Sequence, residues 1–342
     1  MAIDVLAKSL PGKIYNLSAG DPNLPVCEAL QRAYAAADLA ATHNYGSSQG
    51  NAGLRAKLWK NPDEVIIANG AKQLIYMSLA AVTKPGDEVV LIGPCWTSYR
   101  KICDILGLRA KLLTGTEEAA YCPELAQLAA EATPETAAIV VNNPNNPTGV
   151  KYDRAYMDGV LEIARRNNCY LISDEVYRYL FDGDFASFRG EPDVITIDGF
   201  SKCLNITGWR LGYAIAAPEI IEAMTGLQSQ MSGPPVTLLQ NILLTAWDGL
   251  IFTDASAYKD RMDLLCQIEK FRAHRPDGGF YFYLPIAAKW NDTAELCTYL
   301  LEKHGIAITP GDDYGVPRTV RISAAATDTD ELREILEPLQ EI

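Results

Sequence analysis

The chain has 342 residues, 48% of them hydrophobic and 21% charged, with 25 glycines and 19 prolines, the make-up of a soluble globular protein with room for one large domain and one smaller one. A formal net charge of -13 argues against general nucleic-acid or anionic-membrane binding, because both need a cationic surface. No apolar run approaches the roughly 20 residues of a membrane span, and the opening MAIDVLAKSLPGK has no signal-peptide pattern.

In chain order, the first clear helical periodicity falls at 71–82, just after Gly70 in IIANGAKQL. VVLIG (89–93) then reads as a buried strand, followed by a helix over 97–107, the strand AAIVVNN (137–143) and a helix over 153–167. Three more apolar runs follow: YLISDE (170–175), VITIDG (194–199) and RLGYAIA (210–216). Short apolar runs alternating with amphipathic segments predict an α/β domain whose sheet is mostly parallel and flanked by helices. From about residue 250 the pattern changes to a helix over 257–272, an aromatic strand over 279–286, a helix over 293–304, a strand at TVRIS (319–323) and a final helix, which predicts a smaller α+β domain. No repeat or low-complexity linker interrupts the chain.

Eight scattered cysteines without a CxxC pair point to a reducing cytoplasm, and three widely separated histidines have no zinc-ligand spacing. No metal site is expected.

Ligands of open α/β sheets bind beyond the carboxyl ends of the strands. Four successive strand ends carry Trp96, Asn146, Asp174 with Tyr177, and Lys202, with Arg210 eight residues further on. A lysine beside a core strand must be paired, solvated or neutral. An amine nucleophile, a carboxylate, a phenol, an amide, a broad aromatic face and a cation are together what pyridoxal phosphate (PLP) requires.

Here the sequence resembles the class I/II aminotransferases of PLP fold type I, most closely their bacterial aspartate aminotransferase branch. The resemblance runs from YNLSAGDPN (15–23) to TVRISAAATD (319–328) and rests on NNPNNPTG (142–149), SDEVY (173–177) and FSKCLNITGWRLGY (200–213). It implies a large PLP-binding domain over 45–248 and a discontinuous small domain from 1–44 and 249–342. Lys202 would hold the cofactor covalently and, once freed, move the proton at Cα. Asp174 would hold the proton on the pyridine nitrogen, Tyr177 and Asn146 would donate to the ring oxygen, and Trp96 would stack on the ring. Arg210 would bind the phosphate together with Gly70, Ala71 and Lys72 at a helix start. Arg321 and backbone near Gly20 would hold the substrate α-carboxylate, and Tyr45 in HNYGSSQG would reach the phosphate of a neighbouring subunit, requiring a homodimer with shared active sites.

The substrates so implied are an amino acid and a 2-oxo acid, used in a ping-pong cycle. Lys72 resembles the lysine that recognises the distal carboxylate of aspartate or glutamate, although an ammonium there could equally serve the phosphate. The chain departs from the pattern in a short segment before Tyr15, in abbreviated stretches at 50–65 and 249–276, and at Gly199, where many relatives have a phosphate-binding serine. With the lid so shortened, other PLP chemistry on the same platform, such as β-elimination, decarboxylation or cyclisation, stays open beside transamination.

Overall fold

The computed structural model describes residues 12–342, so most of the amino-terminal arm before Tyr15 lies outside the described residues. After the short β1 (Tyr15–Asn16), seven segments hydrogen-bond into the main sheet: β2 (Val65–Ala68), β3 (Glu88–Gly93), β4 (Arg109–Thr114), β5 (Thr136–Asn142), β6 (Tyr170–Asp174), β7 (Val194–Gly199) and β8 (Gly212–Ile215). Their order across the sheet is β2-β8-β7-β6-β5-β3-β4. Every pairing is parallel except those of β8, which is antiparallel to both neighbours. β3, β7 and β8 are buried throughout, which is why they read as unbroken apolar runs rather than alternating ones.

The expected helices over 71–82 and 293–304 form as Ala71–Val82 and Thr293–His304, and that over 153–167 as Arg154–Arg166. Ala71–Val82, Ser98–Leu106 and Pro218–Met231 cover one face of the sheet, where Leu74, Ile75 and Met224 meet Ile66, Val89 and Ile197. The opposite face packs against Arg154–Arg166 through Met157, Val160 and Leu161. The helix Glu28–Ala35, assigned with residues 1–44 to the small domain in the sequence reading, instead joins the large sheet. Its Leu30 and Ala33 share a cluster with Leu54, Ile67 and Ile242, because its apolar stripe faces that layer.

The smaller layer is a three-stranded antiparallel sheet in the order β11-β12-β9, formed by β9 (Tyr281–Pro285), β11 (Thr309–Pro310) and β12 (Thr319–Ser323). β1 pairs in parallel with β10 (Ile306–Ala307), which ties the start of the described chain to its carboxyl-terminal part. One expectation fails here. The single helix over 257–272 is two, Lys259–Leu265 and Glu269–Ala273, because Ile268 is extended (φ -79°, ψ 126°) and the break lets Leu265 and Phe271 both reach the core. The sequence also carried no strand reading for β2 or β4; β2 is only four residues long, and β4 is a partly exposed edge strand of mixed polarity. Among the described residues no helix is long and apolar enough to cross a membrane.

Candidate active site

The topology explains why separate motifs meet. β3, β5, β6 and β7 run parallel, so the turn after Gly93, Asn142, Asp174 and Gly199 all lie at one edge of the sheet. β8 runs the other way, so its amino-terminal end, and Arg210 just before it, falls at that same edge. β2 pairs antiparallel with β8 and therefore points with the rest, bringing Gly70 there too. The result is a cavity of about 340 Å³. Gly20, Ala71, Lys72, Trp96, Asn146, Asp174, Tyr177, Lys202, Arg210 and Arg321, named separately from sequence, all line it.

Lys202 sits in the short helix Phe200–Cys203 directly after β7. Its amine donates to the Gly20 carbonyl. Burial in the cleft lowers its pKa from the ordinary lysine value, with Tyr281 and Asp21 pulling it back up. A partly desolvated amine is easier to deprotonate and so better suited to act as nucleophile or base.

Asp174 is 2% exposed. Its carboxylate accepts from the Tyr99 hydroxyl at 2.6 Å and from the Val176 amide at 3.3 Å. Desolvation pushes its pKa up to about 6, against the pull of those two donors. Among the described residues it has no ion-pair partner. A buried carboxylate normally keeps a cation, so this one is arranged to receive a positively charged group from outside the chain.

Arg321, the residue expected to hold the substrate α-carboxylate, is more constrained. Arg321, in the middle of β12, donates to Asn146 Oδ1 at 3.0 Å and to the Ser18 carbonyl. Its guanidinium lies between two tyrosine rings, 4.5 Å from that of Tyr281 and 5.2 Å from that of Tyr314. Asn146 is oriented in turn by its backbone amide, which donates to Asn142 Oδ1 at 2.7 Å, and its Nδ2 donates to the Tyr177 hydroxyl at 3.3 Å.

The helix Ala71–Val82, like its neighbours Ser98–Leu106 and Pro218–Met231, has no side-chain cap. Asp153, Asp292 and Asp328 cap their helices with side-chain oxygens, whereas Gly70 (φ +83°) leaves this helix with no capping side chain. Its first amides point along the dipole without an intrahelical acceptor, a setting suited to an anion. A Cβ on Gly70 would lie 2.6 Å from Arg210 Nη2, so only glycine lets the guanidinium approach this turn. Arg210 itself has φ +55°, an uncommon conformation for a non-glycine residue, and its Nη1 donates to the Thr207 carbonyl at 3.0 Å. Lys72 lies over the Trp96 ring at 5.0 Å. Gly199 lines the cavity without a hydroxyl, but so does Ser201, which supplies one.

Two tyrosines were missed from sequence. Tyr99, three residues beyond Trp96, bonds Asp174, and Tyr281 in β9 reaches Tyr177. Tyr99 carried a usable signal, since it lies nearly one helical turn from Trp96 and shares its side. Tyr281 carried none beyond its place in an aromatic strand. Tyr45 stands apart: it is 96% exposed and does not line the cavity of its own chain.

The donor set fits PLP. A buried carboxylate without an ion-pair partner among the described residues suits a pyridinium, a glycine-opened helix start beside an arginine suits a phosphate dianion, and a desolvated amine lines the same cavity.

The model of the family "Aminotransferase class I and II" matches residues 12–339. An aspartate aminotransferase of Thermotoga maritima is 30% identical over 100% of this chain and 95% of that protein. An aspartate/prephenate aminotransferase of Thermus thermophilus is 32% identical over 94% of this chain and 89% of its own. Among solved structures, the Thermotoga maritima aspartate aminotransferase superposes with a TM-score of 0.89 at 29% identity, covering 99% of this chain and 95% of that one. The Thermus thermophilus aspartate aminotransferase with maleate superposes with a TM-score of 0.90 at 30% identity, covering 99% and 94%. Sequence motifs, sheet topology and cavity agree with these matches, and the chain belongs to the class I and II aminotransferases, with the type I fold of PLP-dependent transferases.

Proposed function

We propose that this aminotransferase uses PLP held at Lys202 and moves amino groups between an acidic amino acid, aspartate or glutamate, and a 2-oxo acid in a ping-pong cycle. The observation that carries the reading is the charge inventory of one cavity: Lys72, Lys202, Arg210 and Arg321 face it, against Asp174 as its one carboxylate. When bound, the cofactor supplies an electron sink for the charge released at Cα and a store for the amino group between half-reactions.

The chain does the rest. Arg321 binds the α-carboxylate, held in place by Asn146 and the Ser18 carbonyl. Lys202 takes the proton from Cα and returns it on the other side of the transfer, a role that the lowering of its pKa by burial favours. Asp174, ionised above about pH 6, keeps a proton on the ring nitrogen. Arg210 and the start of the helix Ala71–Val82 bind the phosphate.

With those partners assigned, Lys72 is the cation left for a second carboxylate, and its seat over Trp96 keeps it at the cavity wall. The Thermus thermophilus relative is described with maleate, itself a dicarboxylate. Tyr45, exposed in one chain, is assigned to the partner's phosphate site in a homodimer. Eight free cysteines accord with a reducing, cytoplasmic setting.

The test is an absorbance spectrum of the PLP-loaded protein, recorded before and after L-glutamate or L-aspartate is added without any oxo acid. Loss of the lysine-linked band, with stoichiometric release of the matching oxo acid, is the expected result. A band that neither amino acid alters would remove the acidic substrates, and failure to form the band would remove the cofactor.

A further inference from the structure

Tyr281 opens β9 and carries the smaller sheet into the cavity. It meets three other site elements at once. Its ring lies 4.5 Å from the Arg321 guanidinium, its hydroxyl is 3.2 Å from that of Tyr177, and the same hydroxyl stands 1.7 Å from where a Cβ on Gly20 would be. Gly20 therefore has to lack a side chain for Tyr281 to reach this position.

The direction of the hydrogen bonds follows from counting protons. Arg321 can only donate, so Asn146 must turn Oδ1 toward it and Nδ2 toward Tyr177. The Tyr177 oxygen thus already accepts one bond. Its own proton has two destinations, the Tyr281 oxygen or the cavity. Tyr281 is 2% exposed, and among the described residues its hydroxyl has Tyr177 as its hydrogen-bond partner. If Tyr177 donated to it, the Tyr281 proton would find no acceptor among the described residues and could only face the cavity, leaving Tyr177 with no proton for a ligand there. If Tyr281 donates, both tyrosines are satisfied and the Tyr177 proton is left facing the cavity.

We propose that Tyr281 is a positioning residue that donates its hydroxyl proton to Tyr177, aiming the Tyr177 O–H into the cavity and strengthening it as a donor to the bound cofactor. A phenol oxygen accepting two hydrogen bonds carries more of the negative charge left by its own proton, so it gives that proton to a third partner more readily. The charged groups facing the pair are Asp174 and Arg321 at Tyr177 and Lys202 at Tyr281, with Asp21, Arg321 and Arg210 acting on Lys202 in turn. The inference rests on the cofactor reading above.

Tyr281→Phe keeps the ring under Arg321 and removes only the hydroxyl, so the fold should be retained. The measurement is the pH midpoint of the absorbance of the lysine-linked cofactor in the holoenzyme. Weaker donation by Tyr177 to the ring oxygen lets the adjacent nitrogen keep its proton to higher pH, so the midpoint should rise by about half to one unit. Placed on a Tyr177→Phe background, the same substitution should leave the midpoint where Tyr177→Phe alone puts it. An unmoved midpoint in Tyr281→Phe, or an equal shift in both backgrounds, overturns the proposal. Wild-type protein that forms no such band with PLP overturns the cofactor reading instead, so the two failures are distinguishable.

Discussion

Asp174 and Glu175 are neighbours in the chain and face different surroundings. Asp174 looks into the cavity, where no cation among the described residues pairs with it. Glu175 turns to the other side of the strand end, into a buried network with Arg189 at 3.6 Å and the Ser187 hydroxyl at 2.9 Å. Asp198 at the end of β7 belongs to the same network. It lies 2.6 Å from Arg189 and 3.8 Å from Arg178, and accepts from Tyr213 at 2.8 Å. Burial pushes Asp198 up, and the two arginines pull it back. Burial opposes the charge on Arg189, but Tyr213, Asp198 and Glu175 outweigh it and raise its pKa.

Behind the sheet edge, then, two arginines face two carboxylates. In front of it, four cations face one. The first group is matched in formal charge, although burial still pushes the Glu175 carboxyl up to about 7, and it holds the turn that presents Lys202, since Asp198 also accepts from the Gly199 amide at 2.6 Å. The unbalanced group is incomplete, and its excess of positive charge calls for anionic ligands. Charge balance separates support from site here more sharply than burial does, because Asp174 and Arg321 in the site are buried, as Glu175 and Asp198 in the support are, although Lys72 and Arg210 are exposed.

The comparison can be broken from either side. Arg189→Met strands Glu175 and Asp198 without their closest cation, so it should destabilise the protein by about 3–5 kcal/mol in denaturant titration. A loss under about 1 kcal/mol would show that the network is not a support.

Asp174→Asn should do the opposite. Turnover should fall by about 10²- to 10³-fold, as expected when a preorganised charge at the reacting group is lost, while the cofactor-free protein becomes more stable at alkaline pH. The sign follows from a folded pKa of about 6 against 3.8 for the free group. The raised value means that Asp174 favours the folded state when protonated, below pH 3.8, and that this stability is lost as pH rises through 6. The variant should therefore exceed wild type by up to about 3 kcal/mol at pH 8 and converge with it near pH 4. Equal stability across that range would mean that Asp174 has a counter-charge in the free protein.

The smallest effect concerns the excess cations. Lys72→Ala should raise KM for aspartate and glutamate about 10-fold and leave KM for alanine or aromatic amino acids nearly unchanged. An equal rise for all substrates would reassign Lys72 to the phosphate.

The strands β3, β5, β6, β7 and β8 were legible because they are largely buried on both faces and so leave apolar runs, and the helices over 71–82 and 293–304 because their apolar periodicity is uninterrupted. β4 and the break at Ile268 were not, because an edge strand has mixed polarity and a helix break between two apolar segments preserves the periodicity on either side. In the site, Lys202, Asp174, Tyr177 and Asn146 were readable from residue types placed at strand ends.

By itself, the sequence determined which chemical groups the protein carries and at which strand ends they emerge, since both follow from local pattern and residue identity. Tertiary structure alone decided that Tyr281 meets Tyr177 across 104 residues of chain, that Arg321 meets Asn146 across 175, and that among the described residues Glu175 has an ion-pair partner while Asp174 has none. Those outcomes depend on packing between segments distant in the chain and on the water that packing excludes, and desolvation and ion pairing exist only once the fold has formed.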